Sequence, residues 1–378
     1  MAQLATTTPW PASTPAPRPI RVMVCDDSAV IRSILCRVLT NEAGIEVVAR
    51  AANGQEALDQ FTTRPDLADI LVLDIQMPQM DGLTALPLLL QAAPRLRIII
   101  ASTLSTRGAN TTLEAMRLGA HDYVPKPSAA TVSGDASFQR ELLGKVHALA
   151  RRITAPPGAP APPLSLRTTP IPTPLLLAIG SSTGGPQALA AFLQALKSRL
   201  GPTGLTLPVV LTQHMPAAFT PLLADQLTRL GSLPCLEAKN DTALAPGHVH
   251  IAPGGRHLLI RRSTSCRSAP NDGATLLSSI DDSPPENFCR PSVDPMLRSA
   301  ASACNGKVLI VMLTGMGQDG LAGTRALVQA GGAAIAQDEA SSVVWGMPGA
   351  IARAGLCHAV LPIASLAERT ARILQGRP

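Results

Sequence analysis

This sequence predicts two doubly wound α/β domains joined by a proline-rich spacer, on three observations. Short aliphatic runs alternate with helix-forming stretches over residues 19–137 and again over 174–376. Alternation of that kind builds a parallel sheet with helical crossovers. Between the two, TAPPGAPAPPLSLRTTPIPTP piles up prolines without a core-forming pattern, the composition of an extended spacer. Finally, 378 residues favour two or three domains, and a 46% hydrophobic content is enough to bury a core in each.

Residues 1–18 are rich in Pro, Ser and Thr without periodicity and are expected to form a disordered tail. RVMVC (21–25) reads as the first strand. In the next segment Val30, Ile31, Ile34, Leu35, Val38 and Leu39 make one helical stripe. IEVVA, GQEALDQF, ILVLD (70–74), GLTALPLLLQ, RIIIA (97–101), a helix around Thr111–Leu118 and DYVPKP continue the alternation to five strands. Pro87 inside GLTALPLLLQ is expected to kink that helix or shorten its regular part. FQRELLGKVHALARRI (138–153) has helical apolar spacing at Phe138, Leu142, Val146 and Leu149. It either closes the first domain or caps the second, and is grouped with the spacer over 138–173. The second domain opens on LLLAIG, followed by the strands PVVLTQ (208–213) and KVLIVML (307–313).

Composition excludes several function classes. Aromatic residues are 2% of the chain, so the cores are aliphatic and base-stacking platforms for nucleic acid are not expected. The net charge of +6 comes from scattered arginines and pairs such as Arg151–Arg152, a solvated surface rather than a nucleic-acid-binding run. Seven cysteines form no C-x-x-C pair, and neither a signal peptide nor a long apolar span is present. These features predict a reduced, cytoplasmic protein without membrane insertion.

In doubly wound sheets functional groups gather at the carboxyl ends of strands. Asp26 and Asp27 end the first strand of the first domain, Asp74 ends the third, Ser102 follows the fourth and Lys126 the fifth. Three converging carboxylates repel one another unless a hard cation sits among them, and oxygen ligands suit magnesium. Beside such a metal Asp74 would accept a phosphoryl group, with Lys126 and the Ser102 hydroxyl as partners. DD at 26–27, LDIQMPQMDG at 73–82, AST at 101–103 and YVPKP at 123–127 resemble a response-regulator receiver domain of flavodoxin-like fold. The resemblance implies Asp74 as phosphoacceptor, and Asp26, Asp27, Asp74 and the backbone of Gln76 as magnesium ligands. It further implies a sensor histidine kinase as phosphodonor, and Ser102, Tyr123 and Lys126 as the switch residues.

In the second domain Gly180-Ser181-Ser182-Thr183-Gly184 is a G-x-S-x-G run between an apolar strand and a helix-forming segment that begins at Pro186. A tight turn there holds Ser182 at the sheet edge near unpaired helix N–H groups. His214 follows the next strand, and Asp319 lies in the loop after KVLIVML. A serine hydroxyl needs an imidazole to take its proton and a carboxylate to orient that imidazole, so one sheet edge would gather a hydrolytic triad. The order Ser…His…Asp differs from that of the α/β-hydrolases, chymotrypsin and subtilisin. Taken alone, Asp319 reads more readily as a cap of the following helix, and its placement with Ser182 and His214 is what favours the triad. His248, His250 and His257 invite a zinc reading, but no cysteine or carboxylate stands at fitting spacing.

AIGSSTGGPQAL, LTQHMPAAFT, HIAPGGRHLL, CRPSVDPML, MLTGMGQDG and AQDEASSVVWGMP together resemble the catalytic domain of chemotaxis protein-glutamate methylesterases, which is Rossmann-like. The resemblance implies Ser182 as nucleophile, His214 as base and Asp319 as its orienter. Thr183 would supply the oxyanion N–H, and Met316 would help shape the pocket. The expected reaction is methyl ester hydrolysis on glutamates of methyl-accepting chemoreceptors, and deamidation of their glutamines, with no cofactor for that chemistry. SRLGPTGLTLP and RRSTSCRSAPNDG are longer than the pattern, and Gln318 stands where Asn is usual. A binding adaptor lacking catalysis and a DNA-binding response regulator are the competing readings. The triad argues against the first, and the α/β pattern where a helix-turn-helix would be needed argues against the second.

Overall fold

The computed structural model describes residues 18–103, 105–127, 136–154, 163–201, 204–231, 233–263 and 275–377. The expected tail up to residue 17, the densest part of the proline spacer (155–162) and most of the enlarged loop (264–274) lie outside the described residues.

The first domain has strands β1 (Ile20–Cys25), β2 (Ile45–Ala51), β3 (Ile70–Asp74), β4 (Arg97–Ser102) and β5 (Asp122–Pro125). All pair in parallel in the order β2-β1-β3-β4-β5. Helices α1 (Ala29–Thr40), α2 (Gly54–Thr63), α3 (Gly82–Ala92), α4 (Thr106–Arg117) and α5 (Ala136–Thr154) accompany them. Every residue of β3 is buried, which is why ILVLD is a continuous apolar run rather than an alternating one. Side-chain caps start four helices: Ser28, Asn53, Asp81 and Ser105 each accept a hydrogen bond from a first-turn N–H.

Three expectations change here. Helix α3 runs unbroken from Gly82 to Ala92 through Pro87, so the proline does not shorten it. The helix expected at the head of the spacer packs on the first sheet, with Phe138, Leu142, Val146 and Leu149 buried against Val22, Val24 and Val72. Residue 18, placed with the tail, is anchored as well, its guanidinium bonding both oxygens of Asp69 at 3.0 and 3.1 Å.

The second domain is built on seven strands, β6 (Leu176–Ser181), β7 (Val209–Gln213), β8 (Cys235–Glu237), β10 (Val249–Ile251), β13 (Val308–Met312), β14 (Ala333–Gln337) and β15 (Ala359–Leu361). They pair in parallel in the order β15-β14-β13-β6-β7-β10-β8. Helices α6 (Gly185–Leu200), α7 (Thr220–Arg229), α8 (Val293–Ala303), α9 (Leu321–Gln329), α10 (Met347–Arg353) and α11 (Ile363–Leu374) cover its faces. A small antiparallel sheet of β9 (Thr242–Ala243), β11 (His257–Arg262) and β12 (Leu276–Asp281) is added, and the enlarged loop joins its hairpin strands.

Strand order reverses between β1 and β3 in one sheet and between β6 and β13 in the other. Those switch points open crevices at the carboxyl ends of strands, where ligands bind in such folds.

Candidate active site

In the first crevice Asp26, Asp27 and Asp74 bring carboxylate oxygens within 4.8 Å of one another, the one group of three metal-capable side chains among the described residues. Lys126 Nζ lies 2.7 Å from Asp74 Oδ2 and 3.0 Å from Asp26 Oδ2. Burial pushes the Asp74 carboxyl up in pKa, and the neighbouring Asp26 adds to that against the pull of Lys126. The Gln76 N–H donates to Asp74 Oδ1 at 3.3 Å. Buried oxygens facing a single ammonium, beside the exposed Asp27, are a hard all-oxygen donor set that fits a divalent cation such as magnesium. Ser102 is turned away from this crevice. Its hydroxyl faces the carbonyls of Thr103 and Gly108 and receives the Thr112 hydroxyl at 2.6 Å, so contact with a phosphoryl group on Asp74 requires it to rotate.

In the second crevice β6, β7 and β13 lie side by side and deliver Ser182, His214 and the loop bearing Asp319. The turn after β6 is pinned from three sides. The Ser182 N–H donates to the Thr314 carbonyl at 3.0 Å. Gln213 receives the Ser181 hydroxyl at 2.6 Å and donates to the Ser182 carbonyl at 3.0 Å. Gly184 takes φ +73°, a left-handed conformation that favours glycine, and a Cβ on Gly185 would stand 1.9 Å from Gln213 Oε1. The glycines of the run are thus required by backbone shape and by the close approach of Gln213.

Asp319 is 2% exposed and densely bonded. Its Oδ2 receives His214 Nε2 at 2.7 Å and the Val293 N–H at 2.6 Å. Its Oδ1 receives the Ser292 hydroxyl at 2.7 Å, Asn287 Nδ2 at 3.0 Å and the Gly320 N–H at 2.9 Å. The carboxylate therefore sits at the N-terminus of α8 rather than capping α9, and the positive end of α8 favours its ionised form. Burial opposes the charge, but the bond to His214 and those from Ser292 and Val293 outweigh it and hold the pKa down at about 2. For His214 burial likewise opposes the charge, yet Cys289 and Asp319 together lift the ring from 6.5 to about 10.

Ser182 is half-buried at the crevice, and among the described residues no hydrogen bond joins its hydroxyl to the His214 ring. The second ring nitrogen, Nδ1, faces Cys289 Sγ at 3.4 Å instead. The structure therefore brings His214 and Asp319 into contact, sets Ser182 on the adjoining strand end, and leaves the serine–imidazole bond to be made. The three histidines of the zinc reading are each occupied by backbone: His248 contacts the Pro246 carbonyl, His250 accepts from the Ala245 N–H, and His257 bonds the Ser292 N–H and the Pro284 carbonyl.

The first domain lies over this crevice through α4, β5 and α5. Thr183, next to Ser182, donates its hydroxyl to Asp122 Oδ2 at 2.5 Å. Gln187 donates to the carbonyls of Met116 and Ala120, the latter at 2.8 Å. Tyr123 stacks on Phe219 with centroids 4.7 Å apart and planes at 14°. Met316, expected to shape the pocket, packs its Sδ and Cε against Gly144 of α5, 3.4 Å from where a Cβ would stand. Arg140 of α5 lies 4.6 Å above the Phe288 ring. Sequence reasoning missed Asp122, Gln213, Asn287 and Cys289. Two of them carried a signal: Cys289 opens the CRPSVDPML run and Gln213 lies in LTQHMPAAFT.

Two known families match the chain. The CheB methylesterase family matches residues 177–370, and the response regulator receiver domain matches residues 22–132. A protein-glutamate methylesterase/protein-glutamine glutaminase of Azospirillum brasilense is 48% identical over 371 residues, covering 91% of this chain and 90% of its own length. That of Paramagnetospirillum magneticum, numbered 1 in that organism, is 46% identical over 379 residues, covering 93% and 96%. Among solved structures, the Thermotoga maritima CheB methylesterase catalytic domain aligns at 34% identity with a TM-score of 0.47, covering 53% of this chain and 98% of that one.

Proposed function

The chain belongs to the protein-glutamate methylesterase/protein-glutamine glutaminase family, and we propose that Ser182, His214 and Asp319 carry its chemistry. It is a receiver-bearing hydrolase of chemotaxis adaptation, removing methyl esters from glutamate side chains and deamidating glutamines. The observation that supports the triad is the 2.7 Å His214–Asp319 bond beside the Ser182 turn. Ser182 attacks the side-chain carbonyl of a methylated glutamate on a chemoreceptor helix, and His214 takes the hydroxyl proton once its ring has turned from Cys289, whose neighbourhood favours the protonated ring, and has shed that proton. The Thr183 N–H stabilises the oxyanion. His214 then returns the proton to the departing methanol, and water attacks the acyl-enzyme with His214 again as base. A glutamine amide in the same position leaves as ammonia.

The receiver supplies the control. Asp74 accepts a phosphoryl group from a sensor histidine kinase, and Lys126 orients and neutralises it. Asp26, Asp27, Asp74 and the Gln76 backbone would hold magnesium, which when bound offsets charge on the phosphoryl oxygens. The α4–β5–α5 face covers the Ser182 crevice in the resting state, and a phosphoryl group on Asp74, through Ser102 and Tyr123, shifts that face toward opening. No described helix is long and apolar enough to cross a membrane, and we place the enzyme in the cytoplasm, facing receptor helices there. Methanol release from methylated receptor fragments, with and without beryllofluoride, tests the reading. Stimulation in the native chain and its loss in Asp74→Asn are expected, and equal rates in all four conditions would remove the gating.

A further inference from the structure

Four described cysteines, Cys25, Cys36, Cys304 and Cys357, are buried. Burial pushes Cys25 and Cys357 up to about 12 and Cys304 to about 11, with Asp26 adding to the effect at Cys25, so these thiols are poor nucleophiles. Cys235 is half-buried and its thiol faces the Leu233 carbonyl at 3.1 Å. Cys289 is also half-buried, but its sulfur faces an imidazole.

That placement is built. Cys289 closes a tight turn in which its N–H donates to the Glu286 carbonyl at 2.9 Å and its own carbonyl receives the Glu286 N–H at 3.2 Å. The turn takes Asn287 and Phe288 through φ of 52° and 62°, a conformation that side chains adopt at a cost. Side chains clamp it in place. Asn287 bonds Asp294 at 2.9 Å and Asp319 at 3.0 Å. Arg298 holds Glu286 at 2.5 Å, and Arg290 reaches the carbonyls of Asp282 and Ser283. The outcome is a sulfur 3.4 Å from His214 Nδ1, with the other ring nitrogen 2.7 Å from Asp319. Thiol, imidazole and carboxylate stand in line, the arrangement that activates sulfur nucleophiles.

We propose that Cys289 is a modification site, a thiol that reacts with peroxides and small alkylating electrophiles with His214 as proton acceptor, and whose modification arrests the esterase. Only the arrest rests on His214 being the base for Ser182. With hydrogen peroxide, the proton shared between Cys289 and His214 rests on the ring as the sulfur attacks one oxygen. An S–O bond forms, the O–O bond breaks, and the departing hydroxide collects the proton from His214 and leaves as water. Sulfur loses two electrons to the peroxide and becomes a sulfenic acid. Two equivalents of a small thiol restore it, leaving as their disulfide plus water. While modified, Cys289 fills the space beside Nδ1 through which the ring must turn to reach Ser182.

The test uses the full chain, pulsed with iodoacetamide and then mapped by peptide mass. Cys289 is expected to be alkylated ahead of Cys235, and His214→Gln to slow that reaction about 100-fold, the size of a lost general base. In parallel, methanol release is followed after hydrogen peroxide and then dithiothreitol, each variant being compared with its own untreated sample. The native chain is expected to lose activity in step with Cys289 oxidation and to regain it on reduction, while Cys289→Ser holds its own untreated rate. Alkylation of Cys289 no faster than Cys235 in the native chain overturns the proposal without recourse to any variant. An unchanged rate in folded His214→Gln, or equal peroxide loss in Cys289→Ser, overturns it too. Fast alkylation of Cys289 in a chain that never releases methanol upholds the thiol site and removes the esterase reading instead.

Discussion

Replacing Asp122 by alanine removes the charged hydrogen bond that ties the receiver to the nucleophile turn. Asp122 is 4% exposed, and its Oδ2 receives the Thr183 hydroxyl at 2.5 Å while its Oδ1 lies 3.4 Å from Lys145 Nζ. The Lys145 pair lies within the receiver, so only the Thr183 bond counts toward closing the crevice. A hydrogen bond to a charged group contributes about 1.5–3 kcal/mol. If all of it favours the closed state, its loss moves the open–closed balance about 10- to 100-fold. Basal methanol release without a phosphodonor should rise by that factor, up to the ceiling set by the fully open enzyme. The beryllofluoride-stimulated rate should stay where it is, because the contact is already broken there. Lys145 keeps Glu141 at 2.7 Å and the Tyr123 carbonyl at 2.5 Å, so the receiver is expected to remain folded. A folded Asp122→Ala enzyme with an unchanged basal rate, or one whose basal and stimulated rates rise together, would refute the closing role of this face.

Three further outcomes follow from the site. Asp319→Asn places an amide against His214 Nε2 and should lower turnover about 10⁴-fold, by analogy with the same change in serine proteases; a loss under tenfold in methanol release contradicts the role of Asp319. The same pair gives a pH signature in stability. His214, raised to about 10 by Cys289 and Asp319 together, stabilises the fold fully below pH 6.5 and loses that contribution as pH climbs toward 10, and the part owed to Asp319 is what Asp319→Asn removes. Asp319, lowered to about 2, stabilises it above pH 3.8 and loses its contribution as pH falls toward 2. The melting-temperature gap between native and Asp319→Asn chains should thus be widest between pH 4 and 6.5 and shrink on both sides, and a gap independent of pH removes the ion pair. Gly185→Ala drives a Cβ into Gln213 Oε1, 1.9 Å away, and should cost about 1–3 kcal/mol in denaturant titration while lowering turnover.

Both sheets, and the gathering of Ser182, His214 and the Asp319 loop at one sheet edge, are legible because each rests on local pattern. ILVLD and KVLIVML are buried on both faces and so read as continuous apolar runs. Asp26, Asp74 and Ser182 follow such runs directly. Contacts between distant segments left no such trace. Asp122 meets Thr183 across 61 residues, and nothing in DYVPKP marks that carboxylate as facing another domain. Gln213 is one more polar residue at a strand end until Gly185 is seen to make room for its amide. Helix α5 shows the right apolar spacing, but spacing alone does not say which sheet it covers. Asp319 was open to a capping role and does sit at a helix N-terminus, that of α8 rather than α9, because capping and orienting His214 use different oxygen lone pairs of one carboxylate. DDSPPEN marks a turn before Cys289, but nothing in it places Phe288 in a left-handed conformation or aims the Cys289 sulfur at His214.

The most direct test of the catalytic assignment is methanol release from methylated receptor fragments by folded Ser182→Ala, assayed under beryllofluoride so that closure by the receiver plays no part. A loss of at least about 10³-fold with an unchanged melting temperature is expected. Release within a fewfold of the native chain would contradict it and assign the nucleophile elsewhere.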